Sequence, residues 1–315
     1  MNSILKTFGT SLFIFILIFA QGCNNEEMPN PINVQPDGTR YQDIIFADVQ
    51  STMDVVYGEN TDQNGSNISL RMNIFEPAND AEAGRPLIIL AHGGGFAEGD
   101  REDFNELAAL FAQSGYVAAT ISYRLIAGDG ELKFAVVDAV QDMKAAVRYF
   151  TIDNKFSIDP DNIFVGGFSA GAVMACHYAY FNDADIPSAP QELQDYLAAT
   201  GGLSGNSGNA GARESIKGVI SISGGIFDAD WISANEPVLY SIHGDNDTDV
   251  TCTKDPEALT NPDGDFTEGP CLIHPILDSL GITNLFRKID GGDHGAYFTC
   301  EDCDEEMRQF IFENL

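Results

Sequence analysis

One pentapeptide in this chain has the residue types for covalent chemistry: Gly167-Phe168-Ser169-Ala170-Gly171, which fits G-x-S-x-G. It directly follows an apolar run, residues 162–166, and opens a stretch of helical character from about residue 170 to 181. A serine at so sharp a strand-to-helix turn has strained backbone angles, and the flanking glycines avoid the clashes that side chains would cause there. Its Oγ is lifted above the sheet, with the N–H of the next residue aimed at the same point. The chemistry this suits is attack of the Ser169 hydroxyl on a carbonyl carbon. Without the strand before and the helix after, the pentapeptide would read as a tight glycine turn with an incidental serine.

Attack on a carbonyl builds a negative oxygen, which needs donors about 2.7–3.1 Å away. His92-Gly93-Gly94-Gly95-Phe96, directly after the apolar run 86–91, can supply them. Three successive glycines let backbone N–H groups turn toward a ligand atom that side chains would obstruct. Gly94, Gly95 and Ala170 are the candidate donors. A phosphate-binding turn is the other reading, but the G-x-G-x-x-G spacing and the Walker lysine are missing.

The hydroxyl also needs a base, and the chain has five histidines. His92 belongs to the glycine motif. His177 lies two turns into the helix after Ser169, on an apolar stretch, and reads as a core residue. His243 ends a strand beside Gly244 in what reads as a structural hydrogen bond, and His274, just before Pro275, reads as a helix-start residue. His294 remains, in the glycine-rich loop 291–295 after the last strand, and its place in the chain fits the order Ser, acid, His. The acid that orients the ring and stabilises its cation should lie on an earlier loop. Asp245, Asp247 and Asp249 all qualify, with Asp228 a more remote choice. The alternating aspartates also suggest a calcium loop, without the downstream Gly and Glu of an EF-hand.

These residues need a scaffold, and the hydropathy pattern describes one. Short apolar runs at 43–48, 68–75, 86–91, 116–122, 162–167, 216–223, 237–243 and 284–289 read as strands, with Asn64-Gly65 in the first turn. Helical periodicity appears near 101–114, 133–152, 170–181 and 303–314. Continuous apolar strands separated by helices imply a mostly parallel sheet covered on both faces, a three-layer α/β domain over 41–315. Two segments break the alternation, 183–214 and 250–272, and read as long loops at the strand C-terminal edge, where ligands bind.

Together the motifs resemble the α/β-hydrolase superfamily, in particular the HGGG-bearing carboxylesterases and lipases (hormone-sensitive-lipase-like and type-B carboxylesterase-like). The resemblance runs from about residue 68 to 298 and also includes Tyr123-Arg124-Leu125 and Ile158-Asp159-Pro160. It implies a serine carboxylic ester hydrolase that uses neither metal nor organic cofactor. In such proteins the acid sits in H-G-x-x-D-x-x-V, which His243, Gly244, Asp247 and Val250 fit, so the resemblance selects Asp247. Two departures stand out: Ala172 where a third glycine often follows the nucleophile, and the cysteine-bearing insertion 250–272. The absence of a long apolar lid favours short acyl or carbohydrate-linked esters. A prolyl-oligopeptidase-like peptidase would share fold and triad, but such enzymes usually add a propeller, and only about 60 residues precede the core. A non-catalytic binding module on the same fold would be expected to have lost part of the triad.

The chain begins with an apolar run of nine, residues 12–20, too short to span a bilayer but suited to a signal peptide. Ala20-Gln21-Gly22-Cys23 resembles a lipobox, which implies a signal peptide over 1–22, a lipidated Cys23 and a proline-containing tether over 23–40. The expected location is the cell envelope, held at the outer membrane (and facing the surface in one reading) by a lipid anchor alone, with secretion as the alternative. An oxidising compartment permits disulfides among Cys252, Cys271, Cys300 and Cys303; Cys176, inside a helix, reads as a buried thiol. Because Cys252 closely follows the acid and Cys300 and Cys303 closely follow His294, a cross-link between the two loops is one expectation. Local pairing, Cys252 with Cys271 and Cys300 with Cys303, is the other. A net charge of −32 over 315 residues repels phosphate backbones, which argues against a nucleic-acid partner.

Overall fold

The computed structural model describes residues 38–254 and 267–315. The expected signal peptide, Cys23 and most of the expected tether lie outside the described residues, as does the middle of the 250–272 insertion.

Among the described residues, eight strands form one sheet in the order β1-β2-β4-β3-β5-β6-β7-β8. They are β1 Val49–Thr61, β2 Asn67–Pro77, β3 Arg85–Ala91, β4 Val117–Ile121, β5 Ile158–Phe168, β6 Gly218–Ile222, β7 Val238–Gly244 and β8 Asn284–Ile289. β1 and β2 join antiparallel, β2 meets β4 antiparallel, and every later pairing is parallel. The central strands β3, β4 and β6 are buried along their whole length, which is why they read as unbroken apolar runs.

Among the described residues, six α-helices cover the sheet: α1 Asn105–Gln113, α2 Leu132–Thr151, α3 Ala170–Tyr180, α4 Gln191–Thr200, α5 Pro270–Leu280 and α6 Cys303–Glu313. The core divides accordingly. One cluster packs α2, α3, α4 and α5 against one face, through residues such as Val140, Met174, Leu193 and Leu277. The other packs α1 and α6 against the opposite face, through Phe111, Met307 and Phe310 among others. This is the three-layer α/β architecture that the sequence pattern implies.

The structure corrects three expectations. Residues 43–48 form no strand: Ile45 and Phe46 donate their N–H groups to the Gln113 carbonyl at the end of α1. The first strand is β1, whose exposed edge and polar residues hid it from an apolar-run reading. Segment 183–214 is not one long loop, since it contains α4, and its remainder is tied to α2 and β1. Arg148 donates to the carbonyls of Ser204 and Gly208, and the Glu59 N–H donates to Ser207. His274 does not start a helix; Pro270 opens α5, and His274 and Pro275 lie inside it. Among the described residues no helix is long and apolar enough to cross a membrane.

Candidate active site

Ser169 sits between β5 and α3 with φ 52° and ψ −118°, a conformation ordinary residues avoid. Its N–H donates to the Ile222 carbonyl at 2.8 Å, which pins the turn to the neighbouring strand. The flanking glycines answer to close packing on β3. A Cβ on Gly167 or Gly171 would lie 2.1 or 2.3 Å from the Ala91 carbonyl oxygen, far inside contact distance. The G-x-S-x-G pattern is therefore the trace left in sequence by a sheet and a helix meeting at one backbone atom.

His294 lies on the loop after β8 and reaches both partners. Its Nε2 is 2.8 Å from Ser169 Oγ, and its Nδ1 is 2.7 Å from Asp247 Oδ2. With Nδ1–H donating to the carboxylate, Nε2 is left to accept the serine proton. Asp247 is held on every side: its Oδ1 accepts the N–H groups of Asp249 (2.9 Å) and Val250 (3.0 Å). His243 Nε2 donates to the Val250 carbonyl at 2.8 Å and lies 3.2 Å from Asp247 Oδ2.

Burial alone would raise the pKa of Asp247, but the hydrogen bonds from His243, His294 and the Val250 N–H hold it well below the usual carboxylate range. Burial alone would lower the pKa of half-buried His294. The hydrogen bond and charge of Asp247, followed by the charges of Asp249 and Asp293, outweigh that and raise it.

The other acidic candidates stand elsewhere. Asp245 Oδ1 accepts the Gly291 N–H at 2.6 Å and its Oδ2 accepts from Lys288. Asp249 lines the cavity described below, and Asp228 caps the turn Ala229–Trp231 by accepting from the Asp230 N–H. The aspartates of 245–249 therefore do not converge on a common point. Among the described residues the one cluster with metal-ligand spacing is Cys300, Asp302 and Cys303, whose two sulfurs are bonded to each other.

Gly94 has φ 98°, and a Cβ there would stand 2.3 Å from the Glu98 carbonyl oxygen, so this turn requires glycine. The N–H groups of Gly94, Gly95 and Ala170 donate to no protein atom among the described residues. Ala170 is the first residue of α3, whose leading N–H groups have no partner within the helix. The Gly93 backbone packs directly on the serine turn, since a Cβ there would meet the Ser169 Cβ at 3.2 Å. His92 stacks on Tyr123 with ring centroids 4.4 Å apart, and the Tyr123 hydroxyl donates to the His92 carbonyl. Arg124 next to it is buried against Asp138 and Asp142 of α2, so the Tyr123-Arg124 pair fastens the glycine loop to the core.

The acid and base loops are joined by hydrogen bonds. Besides the Asp245–Gly291 contact, the Asn246 N–H donates to the Gly292 carbonyl, and Ser223 Oγ, just after β6, ties the base loop down from another side by donating to the His294 carbonyl. The expected disulfide between these loops does not form. Cys252 pairs with Cys271, Cα atoms 5.2 Å apart, and Cys300 with Cys303, 5.6 Å apart. The Cys271 N–H donates to the Cys252 carbonyl, so the backbone holds these two cysteines side by side. Cys176 is free and buried. His177 is a satisfied core residue, donating through Nδ1 to Val173 and accepting the Phe227 N–H at Nε2.

A cavity of about 410 Å³ opens at Ser169 and His294. Its deep wall is apolar, made by Leu132, Val136, Val173 and Phe227, and its rim carries Asp249, Val250 and Thr267. Segment 183–214 contributes nothing to this wall, whereas the 250–272 insertion supplies Val250 and Thr267. Across the glycine loop a second groove, about 510 Å³, runs between Gly94, Glu98, Asp103 and Phe298. Phe298 is 63% exposed and packs edge-on to Phe168, whose ring also lies against His294. Phe168, Phe227 and Phe298 escape sequence reading because nothing in their spacing distinguishes them from core aromatics. Chemically, the assembly can withdraw the Ser169 proton, hold the resulting imidazolium, and stabilise a negative oxygen at three amides.

Residues 72–225 match the BD-FAE family model, an α/β-hydrolase esterase family. Gut esterase 1 of Caenorhabditis briggsae is 29% identical over 110 residues, which is 33% of this chain and 19% of that protein; the matched part is thus about a fifth of that relative. Among solved structures, Thermogutta terrifontis esterase 2 with propionate bound superposes with a TM-score of 0.59 at 20% identity, covering 87% of this chain and 97% of that one. Its butyrate-bound form gives 0.60 at 20% identity, over 82% and 93%. A truncated carbohydrate esterase from gut microbiota gives 0.56 at 18% identity, over 84% and 96%.

Proposed function

The chain has the α/β-hydrolase fold, and on that premise we propose that it is a serine carboxylic ester hydrolase. Ser169 attacks the ester carbonyl while His294 takes its proton, and Asp247 orients the ring and stabilises its cation. The N–H groups of Gly94, Gly95 and Ala170 receive the oxyanion. His294 then returns the proton to the departing alcohol, and water releases the acyl group by the same steps in reverse order. The observation that supports this most is the unbroken relay from Ser169 Oγ to His294 Nε2 at 2.8 Å and from Nδ1 to Asp247 at 2.7 Å.

The apolar wall beyond Ser169 suits a short acyl chain, and the open groove past Gly94 has room for a larger alcohol, such as a carbohydrate. The test is hydrolysis of p-nitrophenyl acetate, butyrate and octanoate by the wild-type chain beside its Ser169→Ala variant. Turnover on the shorter esters that disappears in the folded variant is expected. Turnover that persists in it would end the proposal. We propose further that Cys23 carries a lipid, so that a Cys23→Ala chain leaves the membrane fraction for the soluble one.

A further inference from the structure

Behind the cavity at Ser169 lies a second, narrow apolar space with a free volume of about 10 Å³, room for a single water at most. Val137, Val140, Phe181 and Trp231 bound its far side. Val136 and Phe227 face both spaces and so form the partition between them. Val136 belongs to the middle of α2 and is buried there. Phe227 comes from the loop after β6 and is only partly buried, so its ring is the removable part of the wall.

That ring is held in place. The Phe227 N–H donates to His177 Nε2 at 3.2 Å, and the two rings meet edge-on with centroids 4.3 Å apart. The preceding residue, Ile226, exchanges backbone hydrogen bonds with Glu268 at 3.0 and 2.6 Å. His177 donates in turn to the Val173 carbonyl at 2.7 Å, on the helix that Ser169 opens. The partition and the nucleophile are therefore referenced to one helix, and the distance between them is fixed.

We propose that Phe227 is the specificity-determining floor of the acyl site: its ring ends the chain that the site accepts, and the space behind it is a latent extension. The inference rests on the ester-hydrolase reading of Ser169. The walls beyond the ring are aliphatic or aromatic, and the His177 nitrogens are already engaged, so methylenes passing that point would meet no unpartnered polar group. Each methylene newly buried there should raise kcat/KM roughly fourfold.

The experiment compares kcat/KM on p-nitrophenyl acetate, butyrate and octanoate for the wild-type chain and for Phe227→Ala, Phe227→Leu and Trp231→Ala. The octanoate-to-acetate ratio should rise at least tenfold in Phe227→Ala and by less in Phe227→Leu. It should stay at the wild-type value in Trp231→Ala, which enlarges the second space without removing the partition. An unchanged ratio in folded Phe227→Ala, or an equal rise in Trp231→Ala, overturns the proposal. Should the alanine variant not fold, an unchanged ratio in Phe227→Leu does the same. Failure of the underlying reading looks different, as wild-type turnover that survives Ser169→Ala.

Discussion

His243 Nε2 lies 3.2 Å from Asp247 Oδ2, the oxygen that also accepts from His294 Nδ1. An imidazole from the end of β7 and one from the loop after β8 thus converge on one carboxylate oxygen, with His243 holding the acid and His294 using it. A hydrogen bond to a charged group contributes about 1.5–3 kcal/mol. Replacing His243 by Phe should therefore lower kcat by about 10- to 100-fold, with the KM for a small ester nearly unchanged. His243→Gln, which restores a donor, should recover part of that loss. A fall in KM-limited binding alone, with kcat intact, would contradict a positioning role.

The raised pKa of His294 sets the acid limb of the rate profile. Only the neutral ring can take the serine proton, so kcat/KM should fall as pH drops through a value above the ordinary 6.5. Asp247→Asn removes the hydrogen bond and charge that raise it. The inflection should move to lower pH, and kcat should drop about 10⁴-fold because an amide no longer holds the Nδ1–H tautomer. Rate profiles of the two proteins between pH 5 and 9 would show both changes.

Burial lowers the His177 pKa to about 4. A base depressed in the folded state leaves stability intact above its unfolded value of about 6.5, and stability is lost as pH falls from there toward about 4. The loss attributable to His177 is on the order of 3 kcal/mol. His92 and His274, also lowered by burial, add to the slope in that region. Urea unfolding at pH 7.5 and 4.5 should show a smaller difference for His177→Leu than for the wild type. Equal differences would contradict the buried neutral ring.

The Cys252–Cys271 bond closes a loop across 19 positions, which by loop entropy contributes about 3 kcal/mol. The double Cys→Ser variant should melt roughly 6–12 °C lower. Cys252 lies two residues after Val250, whose N–H holds Asp247, so kcat should also decline modestly. A melting temperature unchanged by removal of the pair would show that the insertion is held by other contacts.

Much of the site left a sequence trace because its backbone admits few alternatives. Gly167 and Gly171 must be glycine beside the Ala91 carbonyl, and Gly94 must be glycine at φ 98°. Such constraints survive as motifs readable without a structure. Among the three aspartates of 245–249 the pattern alone left the choice open. In the structure the 247 carboxylate accepts the amides two and three residues ahead, which turns it toward His294. Other features had no local signature. β1 is polar and exposed, so its pairing with β2, not its own pattern, makes it a strand. The cysteine pairing followed backbone contacts that spacing does not encode, and Phe227 became a cavity wall only when two distant loops met.

The three residues of the relay hang from the ends of β5, β7 and β8, and β8 is the outermost strand of the sheet, last of the eight to be synthesised. A chain clipped or stalled before residue 284 would carry its nucleophile and acid with no base to serve them. On the proposed mechanism, the appearance of turnover during refolding therefore times the arrival of β8 beside β7, whatever spectroscopic signals say about the helices. On the proposed mechanism, a chain still short of its native sheet would stay inert toward esters.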